Sequence, residues 1–186
     1  MAGETKEKIL RAAMELFASK GFEAVGIREI AKKAGVNSSL ISYYFGGKAN
    51  LYREVLFLQY HELRDFVSRA SSVDEEEFLK GFVRMHVRVL RRRGKLAALL
   101  MHRELVIASG FGEELRERFL KEIGSRIMEV LRRAMDRGIL KVMDPEIALG
   151  FLIHTDALFA VRFPHLEEEE AVRLAYQLFM EGMEVR

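Results

Sequence analysis

The chain has 186 residues, 49% of them apolar, a formal net charge of +2 and no cysteine. That length suits one large domain, or a small domain fused to a larger one, with enough apolar residues for a sizeable core. The missing cysteine excludes disulfides, thiolate metal sites and a thiol nucleophile, and no stretch approaches the roughly 18 uninterrupted apolar residues that span a bilayer.

The first residues, MAGETKEKIL, carry charges where a signal peptide needs an apolar run, so a soluble cytoplasmic protein without membrane contact is expected. The small net charge hides an asymmetry. Through Asn50 the chain holds eight Lys or Arg against five Glu, a local +3 that leaves −1 for the remainder of the +2 total. Attraction to phosphate must therefore be local and oriented. Asparagine occurs only at positions 37 and 50 and glutamine only at 59 and 177, a depletion that fits a heat-stable protein.

Almost everything reads as helix. A first helix is predicted over Lys6 to Lys20, where Ile9, Ala13, Leu16 and Phe17 recur at helical spacing and Gly21 closes the last turn. Phe22 and Val25 pack beneath a short helix, Ile27 to Ala34, which Gly35 ends. Asn37 is a good N-cap for a second short helix, Ser38 to Phe45. Two short helices one tight turn apart are the helix-turn-helix layout, whose second helix can enter the major groove of DNA. Ala31 is small where the two must cross, and Val36 and Ile41 can plug the crossing. An ordinary helical hairpin is the plainer alternative.

Gly46-Gly47 separates this head from a long helix predicted from Lys48 to about Ala70. After a break at Ser71 to Asp74, helices are expected from Glu75 to Arg92, Lys95 to Ser109 and Glu113 to Arg137, with Gly110-Phe111-Gly112 as a loop. Asp144-Pro145 is a strong start signal. The helix it opens, through Phe163, is apolar nearly all round and demands a partner. The acidic run Glu167 to Glu170 suits the first turn of a final helix. The expected fold is all-α, with about nine helices by periodicity: a three-helix head at residues 1–47 and a larger helical domain at residues 48–186.

The head holds a set of groups suited to double-stranded DNA. Ser38, Ser39 and Ser42 can bond bases or phosphate, and Tyr43 can lie on a thymine methyl or bond phosphate. Tyr44 can keep its hydroxyl at the edge while its ring joins the core, and Phe45 reads as a core residue. Lys48 is expected to have its ammonium free for phosphate beside helix-start N–H groups. Arg28 is expected within reach of phosphate or an edge guanine, and Lys6 can add a contact from the N-terminal arm.

Phe17, Gly21, Ile27, Ile30, Ala31, Ala34, Gly35, Val36, Tyr44, Phe45, Lys48 and Leu51 together resemble the N-terminal signature of the TetR family of transcriptional regulators. The match covers the first quarter of the chain. Ser39 stands where the family often has a small residue such as glycine, and Ser42 where it often has tyrosine, which leaves the operator sequence open. The resemblance implies an all-helical homodimer with a ligand cavity in the larger domain. It also implies repression of a palindromic operator, relieved by a small molecule. Whether the chain represses or activates depends on where its operator lies.

For that cavity the sequence offers Phe82, Met85, His86, Leu100, Met101, Glu104, Phe111, Met128 and Phe159, since Met and Phe adapt to bulky apolar ligands. Each is also an ordinary core residue. His86, His102, His154 and Asp156 are polar groups on helices expected to be buried, able to orient a ligand or bond backbone. His154 and Asp156, two apart on a helix, point to different faces and do not read as a metal pair. No metal or cofactor is expected. A dimer interface is expected from Phe151, Leu152, Thr155, Leu158, Arg162, Val172, Tyr176, Phe179 and Met183 on the last two helices. Arg91-Arg92-Arg93 reads as a complement to a helix end, with an acyl-coenzyme or nucleotide phosphate as the sharper alternative. Other classes compete with the regulator. An enzyme decorated with a helix-turn-helix would need a triad, phosphate loop or carboxylate cluster, and the sequence offers none beyond the helix-start run Glu167–Glu170, while an effector-independent architectural protein would lack a cavity.

Overall fold

The computed structural model describes residues 2–58, 60–70, 74–107 and 110–183, with the side chains of residues 2, 93–99, 101–102 and 105–107 left aside. Among the described residues the chain is all-helical. Its ten α-helices are α1 (Ala2–Lys20), α2 (Ile27–Ala34), α3 (Ser39–Phe45), α4 (Lys48–Phe57), α5 (Tyr60–Arg69), α6 (Glu75–Ile107), α7 (Gly110–Phe119), α8 (Ser125–Asp136), α9 (Pro145–Val161) and α10 (Glu168–Met183). A π-helical turn, Leu120–Gly124, fuses α7 to α8. Counting that continuous run once leaves nine rods. None of the described helices is long and apolar enough to cross a membrane.

The chain divides into two compact units: residues 1–59 with 96–115, and residues 60–95 with 116–186. In the first unit α1 packs on α2 and α4, and α3 packs on α4. Ile9, Phe17, Ile30, Ile41 and Leu51 are fully buried between them. Gly35 has φ +67, a left-handed conformation that lets its N–H bond back to Ala31 and Lys32 carbonyls, and so turns the chain between α2 and α3. Asn37 caps α3: its Oδ1 accepts from the Ser39 N–H at 2.9 Å and from the Ser39 hydroxyl at 2.9 Å.

The second unit is built from α5, the first part of α6, the end of α7, α8, α9 and α10, with α9 packed on both α8 and α10. Phe82, Ile127, Leu131, Leu152 and Phe179 are fully buried there. Gly124, in the π-helical turn, sits where a Cβ would lie 3.3 Å from Leu149 of α9 and 3.1 Å from Leu120, so the absence of a side chain permits the close approach. Asp144 caps α9 by accepting from Glu146 N–H at 2.7 Å.

Several helix boundaries differ from the sequence-based expectation. The first helix begins at Ala2, ahead of Lys6. Glu75 to Ile107 is one helix, because a lone glycine at position 94 costs only about 1 kcal/mol against alanine, too little to end a packed helix. Gly110 to Gly112, expected as a loop, forms the first turn of α7. The helix expected from Lys48 to Ala70 is described as α4 and α5, with Gln59 between them outside the described residues. The expected break at residues 71–73 and the expected helix end at Ser109 also lie outside them.

The arginine run at 91–93 lies inside α6, so it complements no helix end. Arg91 instead donates to the carbonyls of Leu166 at 2.7 Å and Phe163 at 3.2 Å, fixing the turn from α9 to α10. Arg88 adds an ion pair to Glu168 at 2.9 Å, and Arg92 pairs with Glu62. Arg91→Ala is expected to cost about 1–3 kcal/mol through the lost charge-assisted bonds, lowering the melting midpoint by several degrees. Thermal denaturation checks this, and an unchanged midpoint would contradict the assigned role.

Candidate functional site

α3 is seven residues long and buries Ile41 and Phe45. That fixes its other face outward. Tyr43 is 79% exposed, with its ring T-stacked on Tyr44 at 5.1 Å. Ser39 and Ser42 are exposed beside it, while Ser38 and Tyr44 are half-buried. The Ser39 hydroxyl gives its proton to Asn37 and keeps its lone pairs as acceptors. Arg28 is exposed on the first turn of α2. The Lys6 ammonium lies 5.5 Å from the Phe45 ring centroid, which brings the α1 start beside the end of α3.

Lys48 departs from the expectation of a free ammonium. Its Nζ donates to the Phe22 carbonyl at 2.9 Å and sits 4.2 Å over the Phe22 ring. An ammonium has three donors, so this bond fixes its place and leaves two others. Phe22 is itself held in an aromatic box, 5.0 Å from Tyr52 and 4.8 Å from Phe111. Tyr52 is fully buried and donates its hydroxyl to Glu104 at 2.6 Å. Burial, then the Glu104 carboxylate, push its phenol well above the usual tyrosine range. Arg53 clamps the box from outside, stacked 5.2 Å over Phe111 and bonded to both Glu114 oxygens at 3.0 and 2.8 Å. The sequence alone gave no signal for this box, which joins residues far apart in the chain.

The expected ligand-lining residues fall in both units. In the second, Phe82 and His86 are buried and Met85, Met128 and Phe159 half-buried. In the first, Leu100 and Glu104 are buried and Phe111 half-buried, with Glu104 and Phe111 engaged by Tyr52 and Phe22. The Met101 and His102 side chains lie outside the described residues. His86 Nδ1 and Asp156 Oδ2 are 3.2 Å apart, with Asp156 fully buried. His154 turns the other way, exposed, its Nδ1 2.7 Å from the Gly150 carbonyl.

Of the expected interface residues, Leu152, Thr155, Val172, Phe179 and Met183 are buried within the chain itself, so their side chains face its own core. Tyr176 is half-buried and Arg162 exposed. The open apolar stripe of α9 is Ile147 (66% exposed), Phe151 (38%) and Leu158 (42%), and Leu178 (43%) lies exposed on α10. Phe151 packs over Gly182 of α10. Spacings of four and seven residues place Ile147, Phe151 and Leu158 on one side of the helix. Sequence periodicity marks the apolar faces of a helix without telling which one faces the chain's own core, so the exposure of Ile147 and Leu178 was not expected.

Comparison with known proteins gives a family match, two relatives and a likeness in fold. A family model described as bacterial regulatory proteins, tetR family, matches residues 9–55. The chain is 32% identical to YttP of Bacillus subtilis, named as an HTH-type transcriptional regulator, over 124 residues, 64% of this chain and 59% of YttP. It thus covers less than two thirds of that relative. It is 28% identical over 160 residues to the HTH-type transcriptional regulator SrpR of Pseudomonas putida, 80% of this chain and 70% of SrpR. In fold it is similar to the fatty acid degradation regulator FadR of Bacillus halodurans, with a TM-score of 0.74 at 21% identity, over 95% of this chain and 98% of that one.

Burial raises the Asp156 carboxyl above the ordinary aspartate range, and His86 pulls it part of the way back. The folded chain therefore keeps this proton where the unfolded chain has released it. Asp156's contribution is full in acid and is lost as pH rises from the ordinary aspartate range through the folded-state value. Asp156→Asn, of the same shape without the charge, is expected to raise the melting midpoint at pH 8 and to alter it less near the ordinary aspartate range. Midpoints of both proteins across pH check the sign, and an equal loss at both ends would contradict it.

Proposed function

We propose that the chain, whose residues 9–55 match the tetR family model, is a TetR-family repressor that binds a palindromic operator as a homodimer and is released by a small hydrophobic effector. The observation that carries this reading is the outward face of α3, with Tyr43 79% exposed. Residues 1–47 take the DNA, and residues 48–186 carry the effector and the partner subunit. Tyr43, Ser39 and Ser42 meet base edges in the major groove, with Ser38 and Tyr44 at its rim. Lys48 and Arg28 meet phosphates and set the register, with Lys6 as a further contact. The N–H groups of the first turn of α4 have no carbonyl of their own helix to bond and suit a phosphate beside Lys48.

A palindrome needs two heads at a fixed separation. The apolar stripe of α9 with Leu178 of α10 supports a two-fold pairing of these helices, because such a stripe gains from leaving water. Burying a leucine is worth about 1.5–3 kcal/mol, and each such residue counts twice across a two-fold axis. The effector reading draws on the half-buried Met85, Met128 and Phe159, whose side chains adapt to bulky apolar ligands. An effector works only by binding the non-DNA-competent arrangement more tightly.

Tyr43→Ala and Lys48→Ala are each expected to weaken binding to a duplex selected from a random pool. Lys48→Ala should act alike on all sequences and reduce the salt slope by about one phosphate, whereas Tyr43→Ala should also blunt sequence preference. Quantitative DNA-binding isotherms at several salt concentrations check both, and unchanged isotherms would remove the DNA assignment. Leu158→Glu is expected to convert the dimer to monomer in sedimentation equilibrium. A wild-type chain that sediments as a monomer at micromolar concentration would remove the dimer.

A further inference from the structure

Three carboxylates are buried among the described residues, and two are fully engaged. Glu75 accepts from Arg133 at 3.1 Å and pairs with Arg137. Glu104 takes the Tyr52 hydroxyl. Asp156 differs: Oδ2 meets His86, while Oδ1, buried and on a residue 0% exposed, has no partner among the described residues. An unmade hydrogen bond of this kind costs about 1–3 kcal/mol, and buried polar atoms in folded proteins are otherwise satisfied. The Phe82 ring lies 5.6 Å from the His86 ring, and Leu152 and Ala160, one turn either side of Asp156, are buried.

We propose that Asp156 Oδ1 is the polar anchor of the effector site, and that it selects small molecules with an apolar body presenting one hydroxyl or ammonium hydrogen to it. The inference rests on reading the chain as effector-controlled. Whichever of the two groups carries it, a proton between His86 Nδ1 and Asp156 Oδ2 fixes the carboxyl's orientation, so Oδ1 offers lone pairs to a donor. His86 is thus a positioning residue. A carboxylate head group brings no hydrogen to this acceptor, which sorts alcohols and amines from carboxylates. Asp156 is held at a cost in stability, the pattern expected where an interior group serves binding.

The test uses three probes with the same ten-carbon chain (decylammonium, 1-decanol and decanoate) below their aggregation concentrations. Each is titrated calorimetrically into the full chain and into Asp156→Leu. Both donor probes are expected to bind the wild type and to bind Asp156→Leu at least about tenfold more weakly, a loss of about 1.4 kcal/mol. Decanoate is expected to bind no more weakly to the variant than to the wild type. If Asp156→Leu does not fold, Asp156→Asn takes its place: it keeps an acceptor for decanol, and only decylammonium should lose affinity. Equal donor binding by wild type and variant overturns the proposal, as does no donor binding by the wild type. So does a crystal structure in which water on Oδ1 stays in place beneath the bound probe. Binding of a selected duplex by the same samples separates the two levels. A chain that binds DNA but ignores the donors loses only the anchor, and one that binds no duplex loses the regulator reading with it.

Discussion

A seven-residue helix does not persist alone in water, so the outward face of α3 exists only because Ile41 and Phe45 are buried beneath it. Everything proposed for DNA follows from that constraint. With those two positions committed to the core, the helical repeat leaves Tyr43 no inward direction, and Ser39 and Ser42 flank it on the open side. Gly35 and Gly46, both at positive φ, end α2 and α3 abruptly and keep the head small. The Asn37 cap satisfies an N–H that a helix this short would otherwise leave bare.

Lys48 extends the same logic beyond α3. Its ammonium is pinned by the Phe22 carbonyl and ring, and Phe22 is walled by Tyr52 and Phe111. A cation placed by an aromatic box is pre-organised, so in the proposed role less side-chain entropy is lost when it meets a phosphate. The box also ties this position to the first turn of α7, with Arg53 and Glu114 closing it from the surface. Within this unit, the start of α4 and the start of α7 cannot shift independently without opening ring contacts.

Much of this was legible in the sequence, and the reasons differ by element. The head was readable because local chemistry decides it: a cap at Asn37, glycines at the turns, and apolar residues at helical spacing. α9 was readable from Asp144-Pro145 and its apolar length. Gly94 misled because glycine lowers helix propensity without forbidding helix, and tertiary packing outweighs about 1 kcal/mol. The role of Arg91 depends on carbonyls more than seventy residues away. Asp156 stood out as a polar group on a helix expected to be buried, but its partner His86 lies on α6, seventy positions earlier. Which apolar faces of α9 and α10 stay open was equally hidden, since burial within the chain and burial against a partner leave the same periodicity.

The proposed function requires that the α3 faces of two subunits read one side of a duplex. Hydroxyl-radical footprinting on a duplex selected by the chain tests it most directly. The expected result is two protected patches on the same face, related by a two-fold axis and about 34–36 Å apart or a multiple of one turn. A single patch, or protection spread evenly without regard to sequence, would contradict it.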